Sequence, residues 1–385
     1  VSIRILYLIE TLGHGGAEHQ LVASVKRLDR RRFEPLVCYF RAPHYLAPTL
    51  ASSGIGVRCL NVPGGKQHWP ELALRIRSLA RDWRPDLIHT SLFEADVLGG
   101  AGARLADVPV ISTLCNIAGE RVRLTDNPRN SLLKFFFANV VWSGALRRWH
   151  SHSIAISQAV LASAVDTFKI DPARASVIYR GIEDERPALA VDRAEIKRRV
   201  GLPDADPFLL NVGRLGPQKG QKYLIAAMPG LLQRFPHAGL AVVGQGWLEG
   251  ELKAQAQALG VIERVCFLGK RTDVPELMAA CDCFVFPSLF EGLGVSLVEA
   301  CYAGCACVAT NTGPIPEIIT NEVSGLLVPP ADSRAIERSL LRLAADVALR
   351  HRLGSAARET ALQRFMLADK VRALEECYVR VLTSS

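Results

Sequence analysis

Short apolar runs alternate with amphipathic stretches through the first half of this chain. Ile3–Ile9, Glu34–Phe40, Ile55–Leu60, Asp86–His89, Val110–Leu114, His152–Ile156 and Val177–Tyr179 have the length and content of strands, whereas Ala17–Leu28, Pro70–Trp83 and Ser157–Phe168 repeat apolar residues at helical spacing. This alternation predicts a parallel sheet covered by helices on both faces. A polar, proline-containing stretch, Gly181-Ile182-Glu183-Asp184-Glu185-Arg186-Pro187, then reads as a linker. The pattern resumes with Phe208–Val212, Leu240–Val243, Val265–Leu268, Cys283–Phe286, Ala306–Ala309 and Leu326–Val328, and ends in helical segments from Ser333 onward. The expected fold class is α/β, with two Rossmann-like, doubly wound domains, residues 1–184 and 185–365, facing a central cleft that takes the ligand.

Composition narrows the class. A chain of 385 residues exceeds one ordinary core, and 22% charged with 49% hydrophobic residues suits a soluble globular protein. No run approaches the roughly 18 uninterrupted apolar residues of a membrane span. The first ten residues run straight into a strand pattern without the layout of a signal peptide. Ten cysteines without the spacing of a small disulfide-rich domain read as reduced thiols, so the expected location is cytoplasmic. The net charge of +8 is uneven: residues 1–190 carry 24 Lys and Arg against 17 Asp and Glu, the remainder 22 against 21. A basic first half could meet an anionic membrane surface or a phosphorylated acceptor, or could be a solvated surface; no motif for reading nucleic acid accompanies it.

The chemistry concentrates in Phe286-Pro287-Ser288-Leu289-Phe290-Glu291-Gly292-Leu293-Gly294-Val295-Ser296-Leu297-Val298-Glu299-Ala300. One carboxylate follows a hydrophobic strand and a second comes eight residues later, with two glycines and the start of a helix between them. The glycines let backbone approach a ligand, and the helix start offers unpaired N–H groups to an anion. If that helix begins near Val295, Glu299 lies on the same face one turn on. Upstream, Gly213 ends a strand, and Arg214 and Lys219 straddle the turn Gly216-Pro217. A rigid guanidinium fork and a mobile ammonium can converge on one phosphate; alone they could equally be solvated loop cations.

Other features stay open. Gly13-His14-Gly15-Gly16-Ala17-Glu18 follows the first strand, and Gly244-Gln245-Gly246-Trp247-Leu248-Glu249-Gly250 follows a later one; neither has the Gly-x-Gly-x-x-Gly spacing, and either could be a tight turn. His89 ends a strand, where a structural histidine is commoner than a catalytic one. Cys281, Cys283, Cys301, Cys305 and Cys307 fall on strand and helix positions without zinc spacing, and no metal site is expected. Asp204-Ala205-Asp206 lies between prolines and reads as turn chemistry. Leu132–Trp149, with Lys134, Arg147 and Arg148 around Phe135-Phe136-Phe137 and Val140-Val141-Trp142, is either an interfacial membrane helix or a helix packed on the sheet.

These segments together resemble the retaining glycosyltransferases of family 4, which have the GT-B fold. The resemblance runs nearly end to end and is strongest over residues 207–330. It rests on Glu-x7-Glu (Glu291, Glu299), Val212-Gly213-Arg214-Leu215-x-x-Gln218-Lys219-Gly220, Phe267-Leu268-Gly269, Asp273-Val274-Pro275-Glu276-Leu277 and Thr312-Gly313-Pro314-Ile315-Pro316-Glu317. It implies that Glu299 holds the donor ribose, that Glu291 contacts the donor sugar, and that backbone from Gly292, Leu293, Gly294 and Val295 meets sugar hydroxyls or phosphate. It further implies that Arg214 and Lys219 bind the diphosphate as it leaves, that the Gly15-Gly16 loop closes the site, and that a final helix, about 366–385, packs back on the first domain.

The resemblance implies no cofactor, no metal and no enzymic nucleophile, since retention is usually explained by attack on the face the nucleotide leaves. One departure stands out. Where many relatives carry a histidine after the strand Val110–Leu114, this chain has Cys115-Asn116, so that sugar contact is lost or passes to His89 or Asn116. Base recognition is expected near Lys270 and Arg271. The implied activity is transfer from a UDP- or GDP-linked sugar to a lipid-linked or polysaccharide acceptor, by a protein that is cytoplasmic or peripheral on the inner membrane face. A catalytically silent nucleotide-sugar-binding partner and a nucleotide-sugar epimerase are the alternatives.

Overall fold

The computed structural model describes residues 2–117, 132–184 and 191–384. They form two compact units: the chain up to Gly181 together with the helix Leu367–Ser384, and Ile182–Met366. The linker pattern straddles this division; its residues Glu185, Arg186 and Pro187 lie outside the described residues, as do the side chain of Lys134 and residue Val1.

The first unit is built on β1 (Ile3–Ile9), β2 (Phe33–Tyr39), β3 (Gly56–Cys59), β4 (Leu87–Ser91), β5 (Val110–Leu114), β6 (His152–Ala155) and β7 (Ala175–Val177). Among the described residues these form one parallel sheet in the order β3-β2-β1-β4-β5-β6-β7. Side chains alternate across a strand, so β1 feeds two cores. Ile5, Tyr7 and Ile9 pack with Leu21, Val22 and Val25 of the helix Gly16–Arg27 and with the terminal helix. Leu6 and Leu8 pack with Leu72, Ile76 and Leu79 of the helix Trp69–Trp83 and with Val97 and Leu98 of a further helix, Phe93–Arg104.

That further helix was missing from the sequence pattern because Gly99, Gly100 and Gly102 erase its stripe. The glycines serve packing: a Cβ at Gly99 would lie 2.7 Å from Thr90 Cγ2, and one at Gly102 2.7 Å from Ile76 Cγ2. The stretch with two open readings is a helix, Leu132–Trp149. Its Ala145 and Leu146 are buried, and Trp142 Nε1 donates to Asp96 Oδ2 at 2.8 Å.

The second unit has β8 (Phe208–Val212), β9 (Gly239–Val243), β10 (Val265–Gly269), β11 (Cys283–Phe286), β12 (Ala306–Thr310) and β13 (Leu326–Val328). They pair in parallel in the order β10-β9-β8-β11-β12-β13. Cys283 and Cys307 are buried within this sheet and Cys281 Sγ lies 3.6 Å from Cys305 Sγ, all among apolar neighbours. Asp204 is held by Arg264 and His237, each at 2.8 Å. The terminal helix belongs to the first unit because Leu367, Val371, Leu374, Tyr378 and Val381 recur at four- and three-residue steps and form one apolar stripe on its sheet.

Candidate active site

In the second unit the strand order reverses between β8 and β11, and in such sheets the carboxyl ends at the reversal are where ligands collect. Gly213 and Arg214 leave β8 there, and the segment 287–294 leaves β11. That segment is held by Gln218: Leu289 N donates to Gln218 O at 2.7 Å and Gln218 Nε2 to Phe290 O at 2.9 Å. Thr310 Oγ1 donates to Ser288 O, and Thr312 Oγ1 to Leu289 O at 3.2 Å.

Against this frame Lys219 Nζ lies 2.6 Å from Glu291 Oε1, with both side chains mostly buried, and 5.4 Å from the Phe286 ring centroid. Arg214 stacks at 5.0 Å on Trp247 and donates to Gln218 Oε1 at 3.2 Å. The second glycine turn backs the segment that carries Arg214. Gly213 N donates to Val243 O and Leu215 N to Gln245 O, and a Cβ at Gly244 or Gly246 would come within 2.0 Å of Gly213 O or Leu215 O. Its glycines thus allow two backbone turns to touch.

The helix Val295–Ala303 starts at Gly294, whose φ of 97° places it in the left-handed region, and no side chain caps it. Gly292 and Leu293 are buried, and Val295 is half-buried. Glu299 sits one turn in. Desolvation by surrounding protein pushes its carboxyl up to about 7, yet the residue is solvent-exposed; water contact opposes the rise, so the upward direction is what bears on binding. Arg271 is held by Asp273 at 2.6 and 2.7 Å, and Lys270 is exposed.

In the first unit Gly15 caps the helix Gly16–Arg27 in extended conformation, and both glycines are exposed. Gly15 makes room for Glu18, whose Oε2 would lie 2.2 Å from a Cβ there. Cys115 is buried with Sγ 3.5 Å from Thr113 O; burial pushes its thiol up, and the neighbouring Arg180 guanidinium opposes that. Asn116 is exposed.

His89 differs from a free ligand contact. Its Nδ1 is 2.6 Å from Tyr378 Oη, its Nε2 is 2.6 Å from Thr113 Oγ1, and Tyr7 Oη completes the chain 2.8 Å from Tyr378 Oη. Both ring nitrogens are committed inside the unit, whereas Asn116 is exposed. Sequence reasoning missed Arg180 altogether. It bridges the two predicted loops, with Nη1 3.4 Å from where a Gly16 Cβ would be and its guanidinium beside Cys115. Nothing in the local pattern around Arg180 announces this.

Burial lowers His89 to about 3. The sign follows directly: unfolding restores an ordinary imidazole, the unfolded chain binds the extra proton, and the stabilisation present above about 6.5 is lost as pH falls toward 3. His89→Asn is therefore expected to flatten the stability–pH curve by roughly 1.4 kcal/mol per pH unit between pH 4 and 6, as measured by urea unfolding at stepped pH. Equal slopes in the two proteins would refute the assignment.

Comparison with known proteins follows the same division. Residues 192–360 match the family described as glycosyl transferases group 1, and residues 14–186 match glycosyltransferase family 4. The UDP-Gal:alpha-D-GlcNAc-diphosphoundecaprenol alpha-1,3-galactosyltransferase of Escherichia coli is 25% identical over 380 residues, 94% of this chain and 95% of its own. The lipopolysaccharide core biosynthesis mannosyltransferase LpsB of Rhizobium meliloti is 30% identical over 260 residues, 64% of this chain and 73% of its own. Anabaena Alr3699/HepE, solved in complex with UDP-glucose, superposes with a TM-score of 0.84 at 26% identity, over 98% of this chain and 100% of that one.

Proposed function

This chain belongs to the family-4 glycosyltransferases, with the two Rossmann-like α/β domains of the GT-B class, and from that premise we propose that it transfers a sugar, with retention, from a UDP-sugar to a lipid-linked or polysaccharide acceptor in cell-surface glycan biosynthesis. The observation that carries this reading is the gathering of Arg214, Lys219 and Glu291 beside the uncapped start of the Glu299 helix at the β8/β11 reversal. UDP is favoured over GDP because the Escherichia coli relative uses UDP-Gal and HepE binds UDP-glucose. The lipid-linked acceptor is argued from the diphosphoundecaprenol substrate of the former.

In this reading Arg214 and Lys219 hold the diphosphate and offset the charge that grows on it as the glycosyl bond breaks, without a metal. Lys219 leaves Glu291 in part for the phosphate, which turns the Glu291 carboxylate toward the sugar hydroxyls. The N–H groups at Gly294–Val295 face the same anion. The acceptor hydroxyl attacks from the face the nucleotide leaves and gives its proton to the departing phosphate oxygen, so no protein nucleophile takes part. Glu299, as carboxylate, accepts from the ribose hydroxyls.

A thermal-shift panel of UDP, GDP, UDP-glucose, UDP-galactose and GDP-mannose tests the donor. Stabilisation by a UDP ligand is expected, and its loss in Glu299→Ala. With UDP-glucose, which does not titrate here, the shift should grow as pH rises through the raised titration of Glu299, and stay flat in Glu299→Gln. No stabilisation by any of the five would sink the reading, and binding without UDP release from UDP-sugar plus membrane extract would mark a silent binder instead.

A further inference from the structure

Among the described residues, the helix Leu132–Trp149 is anchored on one side. Trp142, Ala145 and Leu146 face the unit. On the opposite side Phe136 is 63% exposed, Phe137 54%, Val140 53% and Val141 41%. Phe136, Val140 and Arg147 follow at steps of four and seven, which at 100° per residue keeps them on one stripe about 40° wide. Four large apolar side chains on one face, in water, form a patch that needs a cover.

The stripe runs into a basic pocket. Arg147, Lys169 and Arg174 line it together with His150, Ser153 and Asp171. Arg147 has no ion-pair partner among the described residues. Lys169 Nζ meets Asp166 Oδ1 at 3.5 Å with both side chains exposed, and Arg174 donates to the His150 carbonyl. Asp171 Oδ1 is taken by the Ala173 N–H at 2.9 Å. The pocket therefore holds more positive charge than its one carboxylate offsets. His150 and Arg174 directly precede β6 and β7, so it opens at the amino edge of the sheet, the edge opposite Gly15, Cys115 and Asn116.

We propose that this face docks flat on an anionic phospholipid bilayer, with Phe136, Phe137, Val140 and Val141 in the interfacial layer and one lipid phosphate held by Arg147, Lys169 and Arg174. Charge complementarity selects this occupant: apolar side chains beside a cation cluster about 10 Å further along the same helix match the depth profile of a headgroup layer. The helix follows β5, so its Phe136 end lies toward the carboxyl edge of the sheet. Docking places that edge beside the membrane. The lipid-linked acceptor proposed above gives this placement its use, and to that extent the docking face rests on that reading.

Vesicle co-sedimentation without donor or acceptor keeps the two separable. The full chain is mixed with phosphatidylcholine vesicles and with vesicles containing one-third phosphatidylglycerol. Binding to the anionic vesicles only is expected. Arg147→Ala with Lys169→Ala should lower it about 30-fold, as about 1 kcal/mol per charge near such a surface implies, and Phe136→Ser with Val140→Ser should abolish it. Thermal midpoint and UDP response of both variants should match the parent, showing that neither change unfolds the protein. Equal binding to both vesicles, or none, overturns the proposal. So does a dimer in light scattering that the Phe136/Val140 variant alone dissolves, which would assign the face to a second copy of the chain.

Discussion

Lys219→Ala is expected to lower kcat for sugar transfer by about two to three orders of magnitude, the usual consequence of removing one preorganised donor from developing charge. The ammonium is held 2.6 Å from Glu291 and its side chain is mostly buried, so it reaches the transition state already oriented. Water entering the vacated space cannot supply a fixed charge there. The loss should fall on kcat more than on KM for the donor, because the charge it meets is greatest as the bond breaks. Removing Lys219 also strips a mostly buried carboxylate of its cation, so the unfolding midpoint should drop modestly. Lys222→Ala is the control: Lys222 is exposed on the adjacent helix, and its removal should leave both quantities unchanged. Steady-state kinetics of UDP release with saturating acceptor extract reads the effect, and wild-type kcat in Lys219→Ala would exclude the assigned role.

Gly220→Ala should destabilise the second unit by about 3 kcal/mol and weaken UDP-glucose binding at the same time, combining a left-handed backbone with steric overlap. Gly220 has φ of 64°, and a Cβ there would stand 2.1 Å from the Pro287 carbonyl oxygen. That oxygen is backbone at the root of the segment carrying Glu291, so it yields only by moving the segment. Gln218, which holds the segment through Leu289 and Phe290, would lose its geometry with it. Gly250→Ala gives the contrast. Gly250 lies within the helix Glu249–Ala258 with open space at its Cβ position, and alanine should stabilise it by about 0.5–1 kcal/mol. Urea unfolding and titration with UDP-glucose read both variants. Wild-type stability and affinity in Gly220→Ala would show that the contact yields freely.

The grouping of the candidate site residues in the second unit was legible because its parts are local. Gly213, Arg214 and Lys219 lie within seven residues at one strand end, and Glu291, Gly294 and Glu299 within nine at the next. Each segment declares its own turn, cation or helix start, and parallel-sheet topology then sets the two ends side by side. The second glycine turn was ambiguous for a related reason. Its spacing names no ligand, and only the contact of Gly244 and Gly246 with the backbone of Gly213 and Leu215 explains its glycines. The helix Phe93–Arg104 was hidden because the residues that let it pack closely also remove its periodicity.

By itself the sequence determined two parallel α/β series, the break between them, and the carboxylates and cations at the strand ends of the second. Those follow from periodicity and turn chemistry, which act between residues a few positions apart. Tertiary structure decided what the first unit does with its own polar residues. His89 is enclosed by Tyr378, 289 positions away, because the terminal helix carries an apolar stripe that the first sheet buries. That burial turns a strand-end imidazole from a possible ligand contact into a neutral link in a hydrogen-bond chain. Arg180 comes to Gly16 and Cys115 in the same way, through packing that no local spacing encodes.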